Sequence, residues 1–137
     1  MKNKTVIKQA ASLLVVTILT ITAMAQQKVN RKALVKEEFR VRPFSKVQVM
    51  EITMELLQKA GLHKHPCPVF GYVAEGTLLF EVKGEEPKTI KKGEAFSEPA
   101  GSLIVHFDNK SDTAPLKFIA YYLTNGEKDL VEMFNDK

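Results

Sequence analysis

The chain has 137 residues, 45% of them hydrophobic and 26% charged, enough for one globular domain and not two. Its formal charge of +4 is inflated by the N-terminus, where Lys2, Lys4 and Lys8 occur with no acid before residue 26; beyond it, 17 basic and 16 acidic side chains nearly cancel. No Lys/Arg run is interleaved with aromatics, so a nucleic-acid footprint is excluded as a partner surface.

Residues 1–25 read as an export signal. The three lysines form a positive start, Ala10 to Ile21 is uncharged and apolar, and Ala23-Met24-Ala25 is a small-x-small cleavage site leaving Gln26 as the new N-terminus. The apolar run is short for a membrane span and is diluted by Ser12, Thr17 and Thr20. The expectation is a periplasmic or secreted protein with no stable membrane anchor after cleavage. Residues 26–43 are a polar lead-in whose composition decides neither tether nor edge strand.

From Lys46 to Met54 apolar residues alternate, with Met50, Ile52 and Met54 on one face, which predicts a half-buried strand. After Gly61 come His63 and His65, two of the chain's three histidines. In extended chain, side chains at i and i+2 share a face, so both imidazoles can converge on one ion. Pro66-Cys67-Pro68 is stiff. Strands are expected at Val69 to Ala74, Thr77 to Val82, Lys88 to Ile90, Ala95 to Glu98, Leu103 to Phe107 and Leu116 to Leu123. The first two of these are expected to form a hairpin about Glu75-Gly76. Many short strands between turn signals predict an all-β sandwich or barrel. Only Glu127 to Phe134 has helical spacing, predicting a short C-terminal helix with Leu130, Val131 and Phe134 on one side.

Two spaced motifs accompany these strands. His63-Lys64-His65 and Gly76 match a motif of Gly, five residues, His-x-His, a Glu and a later Gly. Gly93, Pro99 and Gly101 match a second, Gly, five residues, Pro-x-Gly, two residues, His, with Asn109 following. On these residues the chain resembles the cupins, a jelly-roll or double-stranded β-helix family, over about Phe44 to Leu123. The resemblance implies a cupin-like β-barrel at residues 44–125, with a C-terminal helix and tail at 126–137. It also implies a divalent transition metal in the barrel, and a homodimer for which Leu130, Val131 and Phe134 offer an apolar stripe.

Two positions depart from the motifs. The acid expected after His65 would fall at Val69 or Phe70, and the second-motif histidine at Ile104. His106 lies two residues beyond Ile104, with the same strand parity. The candidate metal ligands are therefore His63, His65 and His106, with Glu98 and Cys67 as further candidates. Imidazole suits Zn, Fe, Mn, Ni and Cu to varying degrees, and the residue types do not choose among them. Tyr72, Phe80, Phe96 and Tyr122 are candidate pocket-lining residues. Cys67, the only cysteine, can form no internal disulfide and is equally a small buried filler. A metal-dependent enzyme of oxygenase or isomerase type acting on a small molecule, and a non-catalytic small-ligand-binding or sensing module, both remain open.

Overall fold

The computed structural model describes residues 29–38 and 42–135; the expected signal segment lies outside them. Nine strands follow in order: β1 (Lys46–Met54), β2 (His63–Lys64), β3 (Val69–Glu75), β4 (Thr77–Val82), β5 (Lys88–Lys91), β6 (Ala95–Glu98), β7 (Leu103–Asn109), β8 (Leu116–Thr124) and β9 (Glu132–Met133). They form two antiparallel sheets, ordered β1-β8-β3-β6 and β5-β4-β7-β2-β9. Among the described residues no helix is long and apolar enough to cross a membrane.

Alternation places the core between the sheets. β4 buries Leu78, Phe80 and Val82, and β8 buries Leu116, Phe118, Ala120 and Tyr122. Four aromatic rings fill the middle: Phe96 and Phe107 are 5.2 Å apart, Phe107 and Phe118 5.0 Å, and Phe80 lies 5.6 Å from Phe96. Edge-on and tilted contacts of this kind add stability beyond the area they bury.

The expected hairpin of β3 and β4 does not form. At Gly76 the chain leaves one sheet for the other, so β3 pairs with β6 and β8 while β4 pairs with β5 and β7. Gly76 has φ +83°, and a Cβ there would lie 2.7 Å from the Pro115 carbonyl oxygen. The crossing thus needs glycine for both its backbone and its clearance. A turn signal between two strands does not say whether they pair or part.

The expected C-terminal helix is also absent. Residues 127–134 run as extended and irregular chain, and β9 pairs with β2 across His63↔Met133 and Lys64↔Glu132. Phe134 N–H donates to the Leu62 carbonyl at 2.8 Å, Lys64 pairs with Glu132 at 3.1 Å, and Lys64 lies over the Phe134 ring. An eight-residue helix is marginal without tertiary support. Here the segment satisfies the open edge of a two-residue strand instead. Leu130 packs against the core and Phe134 lies beneath Lys64, so of the stripe Val131 alone is exposed.

Asn109 ties the fold together at one end. It is buried, and its Nδ2 donates to the carbonyls of Glu55 at 2.9 Å and Ala114 at 3.0 Å while its Oδ1 accepts from Ser111 N–H. Leu57, a third departure from the motifs, stands where the first has its leading glycine and takes φ +57° in the adjoining turn. Leucine there is strained.

Gly71 in β3 lies directly beneath Phe96, and a Cβ there would come within 1.9 Å of the ring. That ring is locked among Phe80, Phe107 and Phe118 and cannot retreat. Gly71→Ala is therefore expected to lower stability by about 1–3 kcal/mol, measured by urea unfolding; an unchanged midpoint would contradict this packing.

Candidate metal centre

The site is assembled from three places in the chain. Strand β2, between β7 and β9, and the residues after it carry His63 and His65, both buried, with ring centroids 5.2 Å apart. β6 carries Glu98, whose side chain is 4% exposed. In β6 the alternation buries Phe96 and Glu98 on the same inward face. The Pro-x-Gly turn that follows is tied to the histidine segment, since Gly101 N–H donates to the His65 carbonyl at 2.8 Å.

Backbone carbonyls fix both imidazoles. His63 Nδ1 lies 2.7 Å from the Gly61 carbonyl oxygen, and His65 Nδ1 bonds the Leu130 carbonyl. A carbonyl only accepts, so each Nδ1 carries a proton and each Nε2 is left to hold either a second proton or a metal ion. Those Nε2 atoms face Glu98 Oε2, at 3.0 Å from His65 and 3.6 Å from His63. Oε2 is buried, and a hydrogen bond reaches it only when one of these two nitrogens carries a proton. Three electron-pair donors facing one another in a buried place repel unless a proton or a metal ion lies among them.

The electrostatics follow the same pattern. Burial works against the charged form of His65, but the contact and charge of Glu98, with the Leu130 carbonyl, outweigh it and raise its pKa. Burial likewise opposes ionisation of Glu98, yet His63 and His65 together hold its carboxyl below the usual range.

The donor set fits a divalent transition metal. One ligand atom each from His63, His65 and Glu98 lie within 4.8 Å of one another. Ligands about 2.1 Å from a tetrahedral or octahedral ion sit about 3.0–3.4 Å apart, close to the two separations seen. The Nδ1-to-carbonyl bonds are of the kind that orients metal-binding histidines.

His106 is not brought to this group. It points to the outer side of β7, where Nδ1 meets Asp108 Oδ2 at 2.9 Å and Nε2 faces Glu81 at 3.7 Å. The parity from Ile104 is broken by a bulge, because Glu81 pairs with His106 but Val82 pairs with Ile104, leaving Val105 extra. Ile104 keeps the inward position and is fully buried opposite His63. Cys67 is wholly buried in the core, outside the ligand group, its thiol pushed up by burial and the charge of Glu127.

Glu98 shows how the missing motif acid is replaced. Val69, where an acid was expected, pairs directly with Glu98 across β3 and β6. The carboxylate comes from the neighbouring strand, one rung over. An acid on the same face as Phe96 in a short alternating strand was the available signal.

Beside the three ligands opens a cavity of about 230 Å³. Ile52, Phe107, Phe118 and Tyr122 form much of its wall, and Val131 and Met133 of the C-terminal segment its rim. Of the candidate pocket residues, Tyr122 lines this cavity, its ring 5.6 Å from His65. Phe80 and Phe96 are core residues that border a separate hollow with Val35 and Glu37, and Tyr72 is exposed. Burial, with the charge of Glu98, pushes the Tyr122 hydroxyl up to about 12, so it remains a protonated donor.

Similar architectures occur in solved structures of other proteins. A DMSP lyase from Ruegeria pomeroyi aligns over 64% of this chain and 42% of its own, with a TM-score of 0.55 and 16% identity. A cupin-like protein from Thermotoga maritima aligns over 64% of both chains, with a TM-score of 0.55 and 20% identity. An oxalate decarboxylase from Bacillus subtilis aligns over 64% of this chain and 23% of its own, with a TM-score of 0.56 and 11% identity. The chain thus spans less than half the length of the lyase and of the decarboxylase. No curated protein matches significantly in sequence. Residues 50–122, more than half of the chain, match the Cupin domain family, and with two antiparallel sheets built on its motif segments the protein belongs to that family.

Proposed function

We propose that this is an exported cupin that holds a divalent transition metal through His63, His65 and Glu98 and uses it on a small organic molecule, in chemistry of the oxygenase or isomerase type. The observation that carries the reading is the buried Glu98 oxygen facing two histidine Nε2 atoms, the three donors converging within reach of one ion. Two histidines and one carboxylate leave coordination positions open, the arrangement of non-haem iron oxygenases. A bound metal would supply Lewis acidity or redox chemistry at those positions.

The chain's own residues have definable tasks. The Gly61 and Leu130 carbonyls hold the imidazoles in the tautomer that binds metal. The apolar wall excludes water from the inner cavity, and the Tyr122 hydroxyl can donate a hydrogen bond to a ligand. Structural relatives named as lyases and decarboxylases support a small-molecule substrate in general terms. A non-catalytic binding role is the second reading, favoured by a cavity whose only carboxylate is Glu98 itself. The basic, then apolar, then small-x-small N-terminus supports export; in a host that processes it, the mature protein recovered from the exported fraction is expected to begin at Gln26 by N-terminal sequencing.

Elemental analysis of purified protein is expected to find near-stoichiometric metal. His63→Ala and Glu98→Ala should each reduce occupancy about tenfold or more, as loss of one of three ligands does, while His106→Ala should leave it unchanged. Retained metal in Glu98→Ala together with loss in His106→Ala would overturn the assignment.

Proton and metal compete for this group, which fixes the pH dependence. The raised pKa of His65 contributes stability below its ordinary 6.5 that is lost as pH rises through the higher folded value. The lowered pKa of Glu98 contributes stability above its ordinary 4.5 that is lost as pH falls through the lower folded value. Metal-free protein should therefore gain most from this pair between 4.5 and 6.5. Metal needs both imidazoles deprotonated, so added zinc should raise Tm little at acid pH and by on the order of 10 °C near pH 8. Thermal scans across pH with and without zinc would show this divergence; a zinc effect independent of pH would count against it.

A further inference from the structure

The cavity beside the metal group has a composition that selects its ligand. Eight of its lining residues are apolar, and no lysine or arginine is among them. Among the described residues Glu98 is the only acid in the lining and His63 and His65 are the only titratable bases; Thr53, Gln58 and Tyr122 add further polar groups. With neutral imidazoles and an ionised Glu98, a divalent ion would leave one net positive charge. That charge can balance one anionic oxygen and no more. A ligand whose two carboxylates are too far apart to share the ion would carry its second charge into an apolar wall with no cation among the described residues to pair it.

Size and shape narrow the class further. A cavity of roughly 150 Å³ holds a benzene ring, and this one measures about 230 Å³. Phe107, Phe118 and Tyr122 present ring surfaces, and Met54 and Met133 present thioethers that pack well against aromatic edges. From these observations we propose that the site takes a ring-sized apolar molecule bearing a single ionisable oxygen, of the phenol type, and discriminates against small dicarboxylates. The inference rests on the metal reading for the seat of the oxygen, and on the cavity alone for the seat of the ring. Met133 stands at the rim and is 56% exposed. It is where a cation could be added without disturbing the core.

Isothermal titration calorimetry of zinc-loaded protein with 4-methylphenol and with succinate tests this. The expected result is 4-methylphenol binding at least about tenfold more tightly than succinate, a factor that one unpaired buried charge exceeds. Met133→Lys should shrink that ratio at least about fivefold, by favouring succinate, when the two proteins are compared at matched zinc loading. If zinc is not retained but 4-methylphenol still binds one-to-one, the metal reading fails and the apolar seat stands. If zinc is retained and succinate binds as tightly as 4-methylphenol or more so, the ligand class is overturned and the metal reading stands. Zinc retained with neither compound bound also overturns the ligand class.

Discussion

The structure turns on one buried carboxylate. Glu98 lies between the sheets with 4% of its side chain exposed, a position that an unpaired charge does not tolerate. Its nearest polar neighbours are two histidine nitrogens, each on a ring whose Nδ1 proton is committed elsewhere. A proton or another cation must lie among these groups, so their convergence beside an apolar cavity points to use and not to packing.

Much of the surrounding structure serves to hold these three side chains. The C-terminal segment is not an appendage: its Leu130 carbonyl fixes His65, β9 covers the open edge of β2, and Val131 and Met133 form the cavity rim. Arg42, ahead of β1, is anchored at the same end by its ion pair with Glu127 and a bond to the Pro66 carbonyl. The geometry of the three donors, access to the cavity and residues 127–134 are thereby coupled. A change in residues 127–134 would reach the donor group through His65 without replacing any of its three side chains.

The outer side of β7 carries a different cluster, His106 with Asp108 and Glu81. One bulged residue, Val105, separates it from the interior. Had β7 been regular, His106 would share the inward face with Ile104. The bulge gives that face to Phe107, which closes the aromatic core, and leaves the family's histidine position to a fully buried isoleucine.

Period-two alternation is a local property of the backbone, and so most of the strands and the all-β class were legible in the sequence; of the face read for β1, Met54 is buried and Ile52 partly so, while Met50 stays exposed. His63 and His65 were legible as a pair because two residues in one strand share a face whatever the rest of the chain does. Glu98 could be named only as a further candidate, because what makes it a ligand is its place opposite Val69 in another strand. The separation of β3 from β4, the outward turn of His106 and the extended C-terminus were likewise decided by tertiary pairing. Each depends on which strand edge needs hydrogen bonds and which residue a ladder skips, and those are relations between distant segments that no local pattern encodes.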